Sequence, residues 1–501
     1  LTAGDGRGTL RRVPLSPRPP ARLASAAARA WDRRAFLVAL ARAGAVGVSA
    51  GALTGSRTGP TRAPQSAPEA EALTGAEPPA RGDSPAAGRS TAAPRPAAAP
   101  AASDAGTPAA ETWAALHGLC DGVAAPTPAE RREHVARLQA ALRVAGLDAF
   151  VAEPGPTMTH LSGVRWGLSE RPFLLLVPAE GEPRFVCPAF EDGTARERVG
   201  AAAPLWTWRE HESPGAVAAK ALAGAGKPRV AVDPPLRSFV REDLDAGLGR
   251  ATGLGAGLVA EVRGRKQPAE LLRLQRANAA TKAAIAAVAP RLRIGVRESE
   301  VRALVVAAQR AAGLSDPWAL VLFGPNAAFP HGTGQERALA AGDAVLIDTG
   351  GALHGYWSDV SRTLLPAAPA PALQRAYDAV AAAQAAGIAA VREGVACGTI
   401  DAAAREVIAA AGLGAPDAVF RHRTGHGIGL EVHEAPYLVH GSRVALARGH
   451  TFSVEPGIYL PGQLGVRIED IVAVAASGPE ILGPAQSPGE PPPVWGSGSP
   501  G

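Results

Sequence analysis

The stretch "AVLIDTGGALHGYWSDVSRTLL", residues 344–365, sets an apolar run, a polar centre and a second apolar run in series. Ala344–Ile347 has the character of a buried strand, and Asp348 sits at its end. Gly350-Gly351 reads as the start of a turn, after which the chain returns through Asp359. Such a hairpin brings Asp348 and Asp359 together although they stand eleven positions apart. A lone Asp at a strand end is ordinarily a turn or capping residue. Asp-Thr-Gly also occurs in aspartic proteases, but neither that triplet nor Asp-Ser-Gly recurs in the later half of the chain.

A second hairpin is written into "HTFSVEPGIYLPGQLGVRIEDIVAV", residues 450–474. Thr451–Leu460 and Gly465–Val474 read as strands joined at Pro461-Gly462. Side chains alternate along a strand, so Arg467 and Glu469 share a face while Val466 and Ile468 take the other. Glu455, across the turn, is expected on the same side as Glu469. An acid among apolar strand neighbours is costly to bury unless it is paired or bound to metal. Two hairpins that each present two carboxylates make plain surface exposure the weaker reading.

Between the hairpins lies "TGHGIGLEVHE", residues 424–434, with His426 and His433 seven apart. Gly425, Gly427 and Gly429 invite a nucleotide-loop reading. That fingerprint needs a following helix, and here Pro436 stands close behind, so the glycines suit a close-packed loop instead. Four carboxylates and one imidazole form a rational set for two divalent cations, whose charge they balance. Mainly oxygen ligands favour a harder ion such as Mn²⁺, with Co²⁺, Zn²⁺ or Fe²⁺ as alternatives. Two metals about 3.5–4 Å apart can hold a hydroxide and polarise a carbonyl together.

Working outward, "TPAERREHVARLQAALRVAGLDAFVA" opens an ordered region: Thr127 can cap, Pro128 suits the first helical position, and Gly146 ends the helix. "RPFLLLVPAEGEPRFVCP" (171–188) reads as a β-hairpin, and 126–260 as an α/β domain. From 261 to 484 the order is helices at 266–292 and 297–314, strands, helices at about 371–393 and 399–412, then strands, which suggests two related halves. Residues 53–125, rich in Ala, Pro, Gly, Ser and Thr, read as a disordered linker with at most a helical turn at Trp113–Leu116, and 485–501 as a disordered tail.

The net charge of +5 is not spread over a binding face. Residues 1–100 carry fourteen Arg against six acids, so the rest of the chain is slightly acidic and no nucleic-acid surface is expected. "DRRAFLVALARAGAVGVSAGAL" (32–53) resembles a twin-arginine export signal, and 1–52 is read as that leader. Its apolar run is too short for stable membrane insertion. A periplasmic or extracellular location follows, or a cytoplasmic one if the leader is mis-started. Cys120, Cys187 and Cys397, odd in number and widely spaced, read as buried thiols.

Taken in order, "GPNAAFPHG" (324–332), "VLIDTGG", "YWSDVSRT", "GHGIGLEVHE", "SVEPGIY" and "VRIED" resemble the pita-bread metallopeptidases, in their Xaa-Pro aminopeptidase and prolidase branch. The resemblance implies an α/β N-terminal domain of the creatinase/prolidase kind followed by an α+β pita-bread catalytic domain. It implies metal ligands at Asp348, Asp359, His426, Glu455 and Glu469, and substrate-facing histidines at His331 and His433. Tyr459 and Arg467 match accessory positions, and Glu455 matches a proton-transferring role as well. His354, His422, His440 and His450 match no such position. The implied reaction is attack of a metal-bridging hydroxide on the peptide bond preceding proline, in a homodimer or larger assembly. Alternatives are a relative that hydrolyses a non-peptide C–N bond and a catalytically silent binding protein. A methionine aminopeptidase is disfavoured by the extra α/β domain and the leader.

Overall fold

The computed structural model describes residues 110–224, 226–484 and 493–495. The expected leader, the linker up to 109 and most of the expected tail lie outside the described residues.

Helix α1 (Pro128–Ala145) forms as its sequence dictates: the Thr127 hydroxyl accepts from the Glu130 N–H, proline occupies the first turn, and Gly146 closes it at φ 67°. There follow β1 (Ala149–Ala152), α2 (Pro156–Ser162), β2 (Leu174–Pro178), β3 (Arg184–Pro188), α3 (Asp192–Val199), β4 (Leu205–Trp208), α4 (Pro214–Leu222), β5 (Val230–Val232), α5 (Ser238–Leu248) and β6 (Gly253–Leu254). The strands make one mixed sheet in the order β4-β3-β2-β1-β5-β6, with the expected β2–β3 pair antiparallel. Its central strands β1, β2, β3 and β5 are buried on both faces, and the edge strands β4 and β6 are more open. Phe150, Leu175 and Phe185 pack with Leu138 and Leu142 of α1, while Val151, Leu174 and Val186 pack with Ala218 of α4 and Leu244 of α5.

Helix α6 (Ala256–Gly264) leads into the second domain. There α7 (Pro268–Val288) and α8 (Glu298–Ala311) precede β7 (Ser315–Phe323), β8 (Val345–Leu353), β9 (Tyr356–Trp357) and β10 (Val360–Pro366). Then α9 (Pro371–Ala389) and α10 (Cys397–Ala410) precede β11 (Gly425–Gly427), β12 (Glu434–Leu438), β13 (Thr451–Val454), β14 (Gly457–Leu460), β15 (Leu464–Arg467), β16 (Asp470–Ala475) and β17 (Gly478–Ile481). The helix-pair-then-strands pattern therefore occurs twice. β7, β8 and β10 form an antiparallel sheet, β12-β11-β13-β16-β17 a second, and β14-β15 a separate hairpin.

Four expectations are corrected. Gly350-Gly351 do not start a turn; β8 runs through them and reverses at His354-Gly355, with φ 53° and 89°. Gly350 is needed for close approach, because a Cβ there would stand 2.0 Å from the Ser358 carbonyl oxygen. Each of the two long strands of the second hairpin is broken, after Val454 and after Arg467, so that its halves join different sheets. The expected linker ends early: Trp113, Leu116, Cys120 and Val123 are buried against Ala284 and Val288 of α7, with the Arg291 guanidinium 4.3 Å from the Trp113 ring centroid. The expected tail contains β18 (Val494–Trp495), which pairs in parallel with β10, and the Trp495 ring N–H donates to the Asp343 carbonyl at 2.9 Å. All three cysteines are free and buried. Among the described residues, no helix is long and apolar enough to cross a membrane.

Candidate metal centre

The two sheets deliver their carboxylates by register. On β8 and β10, Ser361 pairs with Asp348 and Val360 with Thr349, which puts Asp359 diagonally beside Asp348 on one face. On β13 and β16, Val454 pairs with Asp470, so the next residues outward are Glu455 and Glu469. Strand β11 adds His426 from the neighbouring position.

β11 can lie that close only because of its glycines. A Cβ on Gly425 would meet the Ser453 carbonyl oxygen at 1.8 Å, and one on Gly427 the Ala435 carbonyl oxygen at 2.3 Å. The close-packed reading of the loop holds, and no phosphate is needed to explain it.

His426 Nδ1 lies 3.1 Å from the Gly427 carbonyl, so this nitrogen carries the proton and Nε2 keeps its lone pair. That lone pair faces Glu455 Oε1 at 3.3 Å and Asp359 Oδ2 at 3.7 Å. The Ser453 hydroxyl accepts from the His426 N–H and donates to Glu455 Oε1 at 3.2 Å. Ser361 accepts from Arg467 Nε at 2.8 Å and stands 3.0 Å from Asp348 Oδ1 and 2.8 Å from Glu469 Oε2, its one proton serving either. Arg467 also donates to Asp348 Oδ2 at 2.7 Å and to the Tyr459 hydroxyl at 3.0 Å.

The electrostatics ask for cations. Burial, reinforced by Asp348 and Glu455, holds the Asp359 carboxyl well above the usual range. Burial, reinforced by Asp359 and Glu455, does the same to Glu469. Burial pushes Glu455 up to about 7, with Arg467 opposing and Asp348 adding to the rise. Burial, and then His433, presses His426 down to about 3, so its imidazole is neutral. Asp359 Oδ1 and Glu469 Oε1 are buried without a hydrogen-bond partner, and Asp359, His426 and Glu469 offer ligand atoms within 4.8 Å of one another. Buried, unpartnered carboxylate oxygens beside a lone-pair imidazole nitrogen fit a divalent cation.

These residues open onto a cavity of about 700 Å³. His331 and His433 line it, and the His433 ring packs edge-on to His426 with centroids 4.1 Å apart. Trp318, Leu320, Pro330 and Val432 supply an apolar wall. His422, set aside in the sequence as matching no functional position, also lines the cavity, and its Nε2 is 2.8 Å from the Tyr459 hydroxyl. No local signal marks it, because its place depends on Tyr459, far along the chain. Burial, and then Arg467, presses His422 down to about 3.

A second buried cluster, His134 of α1, His160 of α2 and Glu270 of α7, is not a comparable site. Its two rings are stacked at 3.8 Å and 17°, so their lone pairs run side by side and do not converge on one ion. Both Glu270 oxygens are occupied, by the Tyr356 hydroxyl at 2.9 Å, the Gln267 N–H at 2.8 Å and the two histidines. It is a hydrogen-bonded seam between the two domains.

Comparison with known proteins agrees with this architecture. Residues 273–476 match the metallopeptidase family M24, and residues 134–263 match the creatinase/prolidase N-terminal domain. An uncharacterized peptidase of Schizosaccharomyces pombe is 38% identical over 366 residues, covering 69% of this chain and 79% of its own. An Xaa-Pro dipeptidase of Lactobacillus delbrueckii subsp. lactis is 31% identical, covering 68% of this chain and 94% of its own. The crystal structure of dipeptidase PepE from Mycobacterium ulcerans superposes with a TM-score of 0.69 at 36% identity, covering 74% of this chain and 99% of its own.

Proposed function

Because this chain belongs to metallopeptidase family M24, with a creatinase/prolidase N-terminal domain ahead of the catalytic domain, we propose that it is a dinuclear-metal exopeptidase cleaving the bond that precedes proline. The observation that carries the reading is the pair of buried, unpartnered carboxylate oxygens on Asp359 and Glu469, set beside the His426 lone pair at the floor of an apolar-walled cavity. Asp348, Asp359, His426, Glu455 and Glu469 hold the cations, and their oxygen-rich character favours Mn²⁺. Bound there, the metals supply an activated water and a Lewis acid for the carbonyl oxygen.

The remaining steps belong to side chains. Glu455, at the floor of the cavity beside His426, accepts a proton from the attacking water and returns it to the leaving nitrogen. His433 and His331 orient the substrate carbonyl and the chain beyond it. Trp318, Leu320, Pro330 and Val432 form the surface against which a pyrrolidine ring packs. Tyr459 and Arg467 hold Asp348 in place. The printed activity of the Lactobacillus relative, an Xaa-Pro dipeptidase, supports the same substrate class. The Arg33-Arg34 pair ahead of an apolar run supports export of the folded, metal-loaded protein.

The test is a panel of Ala-Pro, Ala-Pro-Ala and Ala-Ala with the Mn²⁺-loaded protein. A pocket that gains the packing of one ring discriminates by about 1–3 kcal/mol, so at least one proline substrate is expected to be cleaved about 10-fold or more faster than Ala-Ala. Equal or faster cleavage of Ala-Ala would remove the proline specificity. Absence of all hydrolysis would favour a binding role.

A further inference from the structure

The turn that carries His433 is held from the helix that joins the two domains. That turn has Glu431 and Glu434 on either side of His433, and both reach one guanidinium: Arg263 Nη2 donates to Glu431 Oε2 and to Glu434 Oε2 at 2.6 Å each. Arg263 lies on α6, and its Nη1 donates to the Thr157 hydroxyl of α2 at 3.2 Å. Lys266, just beyond α6, donates to the other Glu434 oxygen at 2.5 Å. Arg263, Lys266 and Glu434 have side-chain exposures of 7%, 1% and 7%, so these pairs are desolvated. Gly429 fits the cluster, because a Cβ there would stand 2.6 Å from Glu434 Oε1 and 2.8 Å from Lys266 Cε.

Fold stability alone does not explain this arrangement well. A buried ion pair is often no better than apolar side chains of the same volume, and its clearest use is to fix one geometry. The geometry fixed here is the turn Gly429–Glu434, and His433 is the only residue of that turn whose ring packs on His426. We propose that Arg263 is a positioning residue for His433, so that the N-terminal domain sets one wall of the active site. The proposal rests on the reading of His433 as a substrate-facing group.

The experiment compares Arg263→Met, His433→Ala and the double variant in Mn²⁺-loaded full-length protein, following kcat, KM, bound metal and amide hydrogen exchange of residues 428–434. Glu431→Gln is the milder companion, because its side chain is 45% exposed. Outer supporting residues typically contribute about 10–100-fold, and a loss of that size in kcat is expected for Arg263→Met with metal content unchanged. In the His433→Ala background the same change should cost less than about 3-fold, since the two act through one group. Faster exchange in the turn is expected for both Arg263→Met and Glu431→Gln. Arg263→Lys, which can reach only one carboxylate well, should recover part of the rate.

Independent, multiplicative losses in the double variant would overturn the proposal, and so would unchanged exchange in the turn. Faster exchange combined with a silent His433→Ala would leave the clamp standing as geometry and sink the role of His433 on which it rests. The two failures are therefore distinct.

Discussion

Replacing His426 with alanine is expected to lower hydrolysis of Ala-Pro or Ala-Pro-Ala by more than about 10³-fold, the scale of several kcal/mol of electrostatic stabilisation lost at the transition state. The ring is buried, its Nδ1 is committed to the Gly427 carbonyl, and Nε2 points at Glu455 and Asp359. His433 cannot substitute, because it packs against the His426 ring edge and faces the cavity. The fold should survive, since alanine at 426 leaves the β11 backbone and its glycine contacts intact. Steady-state rates with saturating Mn²⁺, alongside a far-ultraviolet circular dichroism spectrum, check this. Activity within 10-fold of the parent at equal metal content would contradict it.

Arg467→Met is expected to be the most destabilising single change at the site. The guanidinium is 3% exposed and donates to Asp348, Ser361, Tyr459 and the Pro330 carbonyl. Methionine fills much of the volume but leaves the Asp348 carboxylate without its cation. Removing one partner of a buried pair costs about 3–5 kcal/mol. In metal-free protein the urea midpoint should fall accordingly, and added Mn²⁺ should restore part of the loss by supplying positive charge near Asp348. An unchanged midpoint would mean that Arg467 carries no such weight.

The nearness of Asp348 to Asp359 and the common side of Arg467 and Glu469 were legible in the sequence because they obey short-range rules. Asp348 and Asp359 lie on the arms of one hairpin, and Arg467 and Glu469 alternate along one chain segment. The N-terminal α/β domain was legible for the same reason, from its capped first helix and the apolar hairpin at 171–188, while the short edge strands β4 and β6 were not. What was missed depends on distance in space. His422 owes its place to a hydroxyl thirty-seven residues away, which no local pattern encodes. Gly350 looked like a turn residue because a glycine required for close approach and one required for positive φ are the same letter. Trp113 and Trp495 were lost in segments judged by average composition, although a single large aromatic side chain can anchor an otherwise polar stretch.

The proposed function requires that five side chains hold two divalent cations in place of protons. Glu455 titrates at about 7 in the metal-free fold, its value raised by burial. Below that pH the folded protein carries a proton there, and the site's affinity for metal falls; above it the carboxylate is free to bind. Isothermal titration of Mn²⁺ into metal-stripped protein at pH 6 and pH 8, each in two buffers of different ionisation heat, tests this directly. Two ions per chain, tighter binding at pH 8, and protons released on binding at pH 6 are expected. No saturable binding, or binding of equal strength to the His426→Ala variant, would contradict it.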